Sequence, residues 1–246
     1  MAEQNKAVFL RATANRYSIE FMLVGGLAIA IIMLFVTLRA TPITLLEIVF
    51  AATAIMAVIL GFLKSREPFY SFQLDHRKIT YYHKVGSYCI DANNLSQVSV
   101  PVVTDGFEQT ELNAVGLKLK NEAAFLDTLH PRLACKLLIE QRHIFLQAVK
   151  MHCKSGSCPS KWLVEPSKFQ VGSGQTYTGL IAMFANRMQH LHTLTGYHLL
   201  LPANVLDRDL WHFSNLLNHW RLNPEMVVQE LLDKQATVTR SNRNDS

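Results

Sequence analysis

The chain has 246 residues, of which 49% are hydrophobic and 17% are charged, and its formal net charge is +5. A soluble domain has about 25% charged residues, and the deficit here falls within residues 21–63, where only Arg39 and Glu47 are charged. This distribution excludes a wholly soluble protein, a disordered chain and a transporter with many spans. It predicts a short membrane anchor joined to a polar folded part.

Two apolar segments predict a helical hairpin that crosses a membrane. Residues 19–38 and 43–63 are each long enough, as helices, to cross a hydrocarbon core about 30 Å thick. The link between them, residues 39–42, is so short that Pro42 is expected in the first turn of the second helix, with Thr41 as its cap. A cleaved signal peptide is the alternative for the first segment, but the second segment follows at once.

The positions of Lys and Arg predict the orientation of the hairpin. Basic residues lie before the first segment and after the second, and the link carries Arg39 alone. Because cytoplasmic flanks are rich in Lys and Arg, we expect a two-span, multi-pass membrane protein with both termini in the cytoplasm. Glu47 lies near the outer end of its helix, so we interpret it as a carboxylate that reaches the interface.

Small residues predict how the two helices pack. In an antiparallel hairpin Gly26 is expected level with Gly61, and Ala30 level with Ala57. Close backbone approach at small residues is how membrane helices associate. The same residues could instead pair two copies of the chain in a homodimer, and the spacing does not separate these alternatives.

The folded part begins at residue 68 and is strand-rich up to residue 121. Alternating polar and apolar residues predict five short antiparallel strands in a meander, at 69–75, 79–84, 87–91, 95–103 and 112–120. The Asp105-Gly106 pair predicts a hairpin turn.

Residues 122–234 are helix-rich. The apolar pattern predicts one helix from Pro131 to Val149, a second that ends near Gly196, a strand at 197–201, a third amphipathic helix from Leu206 to Trp220, and a short last helix after Pro224. Residues 235–246 are expected to form a disordered tail. The fold class is therefore α+β, with an N-terminal tail and hairpin (1–67) and a cytoplasmic α+β part (68–234), which could form one domain or two.

A resemblance to a known class of proteins supports this organisation. The hairpin followed by Phe72-Gln73-Leu74-Asp75, by Ile79-Thr80-Tyr81-Tyr82, and by the Val115-Gly116-Leu117 strand resembles bacterial membrane-anchored proteins with a pleckstrin-homology-like (PH-like) domain. Such domains often carry a Trp before the fourth strand, where this chain has Ala92-Asn93. The resemblance implies a binding or scaffold module located at the bacterial inner membrane, and it supplies no catalytic residues.

Metal-ligating side chains concentrate in residues 143–158. His152, Cys153 and Cys158, with His143 nearby, are the residue types that bind zinc, which raises the alternative of a membrane-bound hydrolase or metal-dependent enzyme. The Cys-x4-Cys spacing is looser than in usual zinc sites and no second pair exists. We therefore interpret these cysteines as ordinary loop thiols, and no cofactor is predicted.

The positive charge is concentrated in residues 130–168, which alone sum to +5. Arg132, Lys136 and Lys150 are expected to point away from the apolar stripe of their helix and to meet a partner. Beside a membrane, that partner is an anionic lipid or an acidic protein. Few aromatic residues are interleaved with these charges, which argues against nucleic acid. The sequence thus predicts a membrane-anchored module that recruits a protein or an anionic lipid.

Overall fold

The computed structural model describes residues 7–12, 18–38, 44–65, 68–105, 108–152, 165–172 and 174–244. The strands in these ranges are β1 (Val8–Leu10), β2 (Phe72–Leu74), β3 (Lys78–His83), β4 (Gly86–Asp91), β5 (Leu95–Ser99), β6 (Val102–Asp105), β7 (Glu108–Glu111), β8 (Ala114–Leu119), β9 (Lys168–Gln170), β10 (Thr176–Thr178) and β11 (Leu199–Pro202). The helices are α1 (Ser18–Leu38), α2 (Leu45–Ser65), α3 (Glu122–Leu126), α4 (Pro131–Glu140), α5 (Arg142–His152), α6 (Gly179–Thr195), α7 (Leu210–Leu222) and α8 (Pro224–Asn244).

The two predicted apolar helices are confirmed as α1 and α2. Both are long and apolar enough to cross a membrane, and most of their large side chains are exposed rather than packed against the rest of the chain. The second helix starts later than expected, at Leu45, because Thr44 is its cap. The Thr44 backbone N–H donates to Glu47 Oε2 at 2.7 Å, one half of a capping box. Thr41 and Pro42 lie outside the described residues.

The glycine of α1 that packs closely against α2 is Gly25, not Gly26 as predicted. A Cβ on Gly25 would lie 2.8 Å from Val58 Cγ2 and 3.0 Å from the Ala54 carbonyl oxygen. A Cβ on Gly26 would meet no heavy atom within 4 Å. Only a glycine at position 25 lets the two backbones come this close.

The error on α1 is an offset of one residue, because neighbouring positions on a helix are about 100° apart in rotation. Gly26 and Ala30 are therefore exposed, although both were expected in the interface. Their expected partners on α2 do face inward, with Gly61 buried and Ala57 half-buried.

The helical hairpin is an insertion between two neighbouring strands of one sheet. This sheet has the antiparallel order β1-β2-β3-β4, and its first pair places Val8 opposite Leu74 and Leu10 opposite Phe72. Val8 and Leu10 are buried in the main core. The folded domain thus includes residues before the hairpin, and the expected boundary at residue 68 omits one strand.

The predicted meander holds for β2, β3 and β4 but not beyond them. After β4, residues 92–94 form a 3-10 turn that carries the chain into a second antiparallel sheet, of order β11-β8-β5. Among the strands that the structure describes, β6 and β7 pair only with each other, as a hairpin. Gly106, in its connection, lies outside the described residues.

The outer edge of β5 is covered by helix α7. The Asn218 side chain donates to the Val98 carbonyl at 2.6 Å and accepts from the Val98 N–H at 3.2 Å, so it occupies the place of a further strand. This pairing leaves no open edge there for another chain to extend.

The predicted helix from Pro131 to Val149 is two helices, because its apolar faces pack in two different places. α4 buries Leu133 and Leu137 in the main core, while α5 buries Ile144 and Phe145 in a second cluster. The chain turns at Gln141, whose N–H donates to the Leu137 carbonyl. Both α4 and α5 have a helical repeat of apolar residues, so the sequence pattern predicted a single continuous helix.

The last helix also differs from the prediction. α8 continues to Asn244, so residues 235–244 are helical rather than disordered. Pairs at i and i+4 support it, such as Lys234 with Glu230 at 2.6 Å. The Gln235 side chain donates to the Phe9 carbonyl at 3.2 Å, which ties α8 to β1.

One core joins the strand-rich and helix-rich halves. It includes side chains from both larger sheets and from α3, α4, α6, α7 and α8. Trp220 is fully buried there, and its indole N–H donates to the Asp75 carbonyl at 2.7 Å. The structure is thus a mixed fold of helices and antiparallel sheets.

Candidate functional site

The candidate site lies at the end of the first sheet from which the helical hairpin departs. β1 runs towards α1 and β2 runs away from α2, so both connections leave the sheet at the end marked by Leu10 and Phe72. Tyr81 lies opposite Phe72, so β3 finishes at this same end, at His83. We call it the hairpin end of the domain.

A cleft of about 450 Å³ opens at the hairpin end. Its walls come from the two connections to the hairpin, the end of β3, the turn between α4 and α5, and the turn after β11. The polar lining residues and those from the connections are Ala12, Pro68, Ser71, Tyr82, His83, Lys84, Glu140, Gln141, His143 and Asn204.

A histidine–glutamate pair crosses the cleft wall. His83 Nε2 lies 3.2 Å from Glu140 Oε2, and the His83 side chain is 10% exposed. On its other side, His83 Nδ1 accepts a hydrogen bond from the Val85 N–H at 3.2 Å. Because Nδ1 is an acceptor, the network assigns the proton to Nε2, which donates to Glu140. Both ring nitrogens are thus engaged.

The break between α4 and α5 places further groups in the cleft. His130 and Pro131 begin α4, and the His130 ring accepts from the Arg132 N–H at 3.2 Å. One helical length later the chain turns at Gln141, and His143 Nδ1 lies 3.0 Å from the Glu140 carbonyl oxygen. The turn thus brings Glu140, Gln141 and His143 to one rim.

The three basic residues singled out from the sequence fall on two helices rather than one. Arg132 is exposed on α4 and Lys150 is exposed on α5. Lys136 is half-buried, and its Nζ lies 3.4 Å from Glu140 Oε1. Lys136 therefore belongs to the polar group at the cleft, which the sequence did not indicate.

Most side chains of the alternative zinc site fall outside the described residues. Cys153 and Cys158, with the side chain of His152, lie outside the described residues, while His143 lines the cleft. Among the residues that are described, no group of three or more His, Cys, Asp or Glu side chains is arranged to hold a metal ion.

A second histidine–glutamate network lies in the interior, away from the cleft. His198 Nε2 is 2.9 Å from Glu122 Oε1, and His198 Nδ1 accepts from the Leu119 N–H at 3.1 Å. Burial alone would raise the pKa of Glu122, but hydrogen bonds from His198 and Gln189 and the nearby positive charge lower it. This network links α3, α6 and the second sheet.

His192 stacks on His198, with ring centroids 4.2 Å apart. Burial lowers the pKa of His192, and the neighbouring His198 and Lys118 lower it further. The sequence pattern did not predict this network, because Glu122 and His198 are 76 positions apart in the chain.

The cleft itself was also missed from the sequence. Its residues come from five separate stretches of chain, and β1, which brings one of them into place, is only three residues long. The buried–exposed–buried alternation of Val8, Phe9 and Leu10 is the signal that could have indicated this strand, but three residues are too few to predict a strand from sequence.

A family model matches residues 72–223, and its description is "Protein of unknown function (DUF2982)". The match runs from the start of β2 to the end of α7, so it covers the second sheet, the first sheet except β1, and most of the cleft. No curated protein and no solved structure matches the chain at a significant level.

Proposed function

We propose that this chain, which belongs to the DUF2982 family, is a membrane-anchored binding module of the bacterial inner membrane. In this proposal the domain lies in the cytoplasm, and its cleft binds the anionic headgroup of a membrane lipid. The observation that carries the proposal is the position of the cleft, which opens at the end of the domain where the apolar hairpin departs.

The anchor is supported by the surface of α1 and α2. Side chains such as Leu23, Leu34 and Phe50 are at least 59% exposed. An apolar surface of this size is unfavourable in water and is typical of a helix pair that lies in a membrane. The pairing of β1 with β2 supports a hairpin that crosses the bilayer twice, because strands that share hydrogen bonds must lie on the same side. The Lys and Arg residues that flank α1 and α2 favour the cytoplasm as that side.

The ligand class is inferred from the cleft chemistry. Lys84 and His143 are exposed in the cleft, His83 donates to Glu140, and Ser71 adds a hydroxyl. Glu140 is the one carboxylate among the described residues that line the cleft, and it is paired with His83. The remaining donors therefore suit a single phosphate-type anion better than a cation. Arg132 and Lys150, on the helices that form the rim, add positive charge to this part of the domain, and a Lys or Arg close to an anionic leaflet is attracted to it by about 1 kcal/mol.

A binding role also agrees with the proposed PH-like character of the domain. Two small antiparallel sheets and helix α7 surround one core, and the sheet that contains Gly116 belongs to the part that resembles those proteins. The chain differs from those proteins at Ala92-Asn93, where they often carry a Trp. In this structure Ala92 and Asn93 belong to the turn between the two sheets.

The enzyme alternative has weaker support. A serine hydrolase would need a histidine nitrogen able to take a proton from a hydroxyl such as Ser71. Both nitrogens of His83 are engaged, with Val85 and Glu140. His83 is therefore not placed to activate that hydroxyl. An enzyme that uses the His and Cys residues of 143–158 stays the second candidate function, because His143 also lines the cleft and Cys153 and Cys158 lie outside the described residues.

Lipid titration of the full-length chain in detergent tests the proposal. Short-chain phosphatidylglycerol should bind more tightly than phosphatidylcholine with the same tails, as measured by native mass spectrometry. Lys84→Glu should reduce this preference at least about fivefold, the equivalent of 1 kcal/mol for one lost cation. Lys120→Glu makes the same charge change outside the cleft and should leave the preference unchanged.

The remaining outcomes are also informative. Tight binding of glycerol phosphate alone would mean that a soluble phosphate, not a lipid, is the ligand. Equal affinity for the two lipids would contradict the proposal, and a protein partner or a homodimer through the helical hairpin would then explain the exposed surfaces better.

A further inference from the structure

An exposed aromatic cluster surrounds the two connections between the domain and the helical hairpin. The Tyr70 ring lies 4.9 Å from that of Phe9 and 4.8 Å from that of Phe69, measured between centroids. The Arg11 guanidinium lies over the Phe69 ring, with its carbon 4.2 Å from the centroid. We call these four residues the aromatic collar.

The collar rings are not part of the core. Phe9, Phe69 and Tyr70 are 42%, 54% and 40% exposed, although the adjacent Leu10 and Phe72 are buried. Side chains alternate between the faces of a strand, so β1 directs Phe9 away from the core. Exposing three clustered aromatic rings to water is unfavourable, and a contiguous exposed apolar patch of this kind often marks a protein or membrane interaction site.

The chain length fixes how far the collar can be from the hairpin. Phe69 is only four positions after Ser65, the end of α2, and four residue-to-residue steps of fully extended chain span at most about 14 Å. A polar headgroup layer begins where the hydrocarbon core ends and is about 5–7 Å deep. If α2 crosses a bilayer, Phe69 cannot lie far from that layer.

We propose that the aromatic collar inserts into the headgroup region of the phospholipid bilayer. This inference rests on the proposed function, in which α1 and α2 span the membrane. Aromatic rings favour the boundary between headgroups and acyl chains, and an arginine stacked on a ring can contact lipid phosphate at the same depth.

The collar would also fix the orientation of the cleft. Residues 9–12 and 68–71 contain all four collar residues and also contribute Ala12, Pro68 and Ser71 to the cleft lining. An inserted collar therefore holds the cleft beside the headgroups, so that a lipid reaches it by diffusion within the leaflet.

Spin labels on the full-length chain in lipid nanodiscs test this inference. Three cysteine variants in a cysteine-free background carry the label in turn: Phe69→Cys in the collar, Ile55→Cys on the exposed face of α2, and Leu222→Cys. Leu222 is a matched control, because it is 66% exposed and follows Trp220, which contacts Asp75 at the opposite end of the sheet.

We expect the label at position 69 to be several-fold less accessible to an aqueous nickel chelate than the label at position 222, and more accessible to oxygen. If the label at 55 lies in the bilayer while that at 69 is as accessible as that at 222, the collar inference is overturned and the anchor stands. If the label at 55 is itself accessible to the chelate, both the anchor and the collar are wrong.

A second set of variants tests whether the collar acts as a unit. Phe9→Ser combined with Tyr70→Ser should raise the chelate accessibility of the label at 69, because less aromatic surface then enters the bilayer. Met226→Ser, at another exposed apolar residue, should not. An unchanged label at 69 in the Phe9/Tyr70 variant would contradict joint insertion.

Discussion

Gly116, in the central strand β8 of the second sheet, lies directly beneath the ring of Tyr197. A Cβ at this position would be 2.5 Å from Tyr197 Cγ and 2.9 Å from Tyr197 Cβ, so the ring and its backbone would have to move. Overpacking of this kind costs about 1–3 kcal/mol. We therefore expect Gly116→Ala to lower the free energy of unfolding by that amount.

Unfolding of the full chain in detergent, followed by circular dichroism, measures this effect. Gly172→Ala is the control, since a Cβ there would meet no heavy atom within 4 Å, and it should change stability by less than about 0.5 kcal/mol. Tyr197→Ala in the Gly116→Ala chain should restore part of the loss. Equal stability of the two single variants would rule out the close contact.

The histidine stack predicts how stability depends on pH. Burial, His198 and Lys118 lower the pKa of His192, and the Glu122 carboxylate opposes them. The unfolded chain has the ordinary value of about 6.5, so below that pH it binds more protons at His192 than the folded chain does. Stability is therefore expected to fall as the pH decreases below about 6.5.

Replacing His192 with Gln should make that part of the pH profile flatter, as measured by thermal unfolding between pH 7.5 and pH 5.5. His219→Gln, at an exposed histidine of α7, should keep the original slope. Glu122 acts at lower pH, because its lowered pKa gives stability that is lost only as the pH falls through that lowered value. A His192→Gln profile as steep as that of the native chain would contradict this assignment.

At the scale of single residues, the sequence identified side chains but not their neighbours. Lys136 was singled out for its charge, yet its pairing with Glu140 depends on where α4 ends. The His83 and His198 pairs join residues from distant stretches, and a single sequence contains no signal for such contacts.

At the scale of elements, the packing of α1 against α2 gives a sharp comparison between two adjacent glycines. Gly25→Leu should force the helices apart, because its Cβ would meet Val58 and the backbone of Ala54. Gly26→Leu should be tolerated, since that position faces outward. The melting temperature of each variant in detergent measures the difference, and equal melting temperatures would show that Gly25 does not form the contact.

The elements themselves were largely predictable, and their partners were not. Apolar periodicity placed α1, α2, α6 and most strands, because burial imposes the repeat of each element. It did not reveal the break at Gln141, where the apolar face moves from one cluster to another. It also missed β1, whose partner β2 follows two intervening helices.

At the scale of the whole molecule, the insertion of the helical hairpin into a sheet has the largest consequence. β1 and β2 flank the hairpin in sequence and pair in space, so β1 and the domain that follows the hairpin form one folded unit. A fragment that begins at residue 68 would lack an edge strand and two buried side chains, Val8 and Leu10. Experiments on this protein should therefore use the complete chain.

The most direct test of this account is the side of the membrane on which three positions lie. Single cysteines at Lys6, Thr41 and Ser241, in a cysteine-free background, are treated in spheroplasts with a maleimide that cannot cross the inner membrane. The account predicts labelling of position 41 alone, with positions 6 and 241 labelled only after the cells are lysed. Opposite accessibility of positions 6 and 241 would contradict the pairing of β1 with β2 across the hairpin, and labelling of both with protection of position 41 would reverse the proposed orientation.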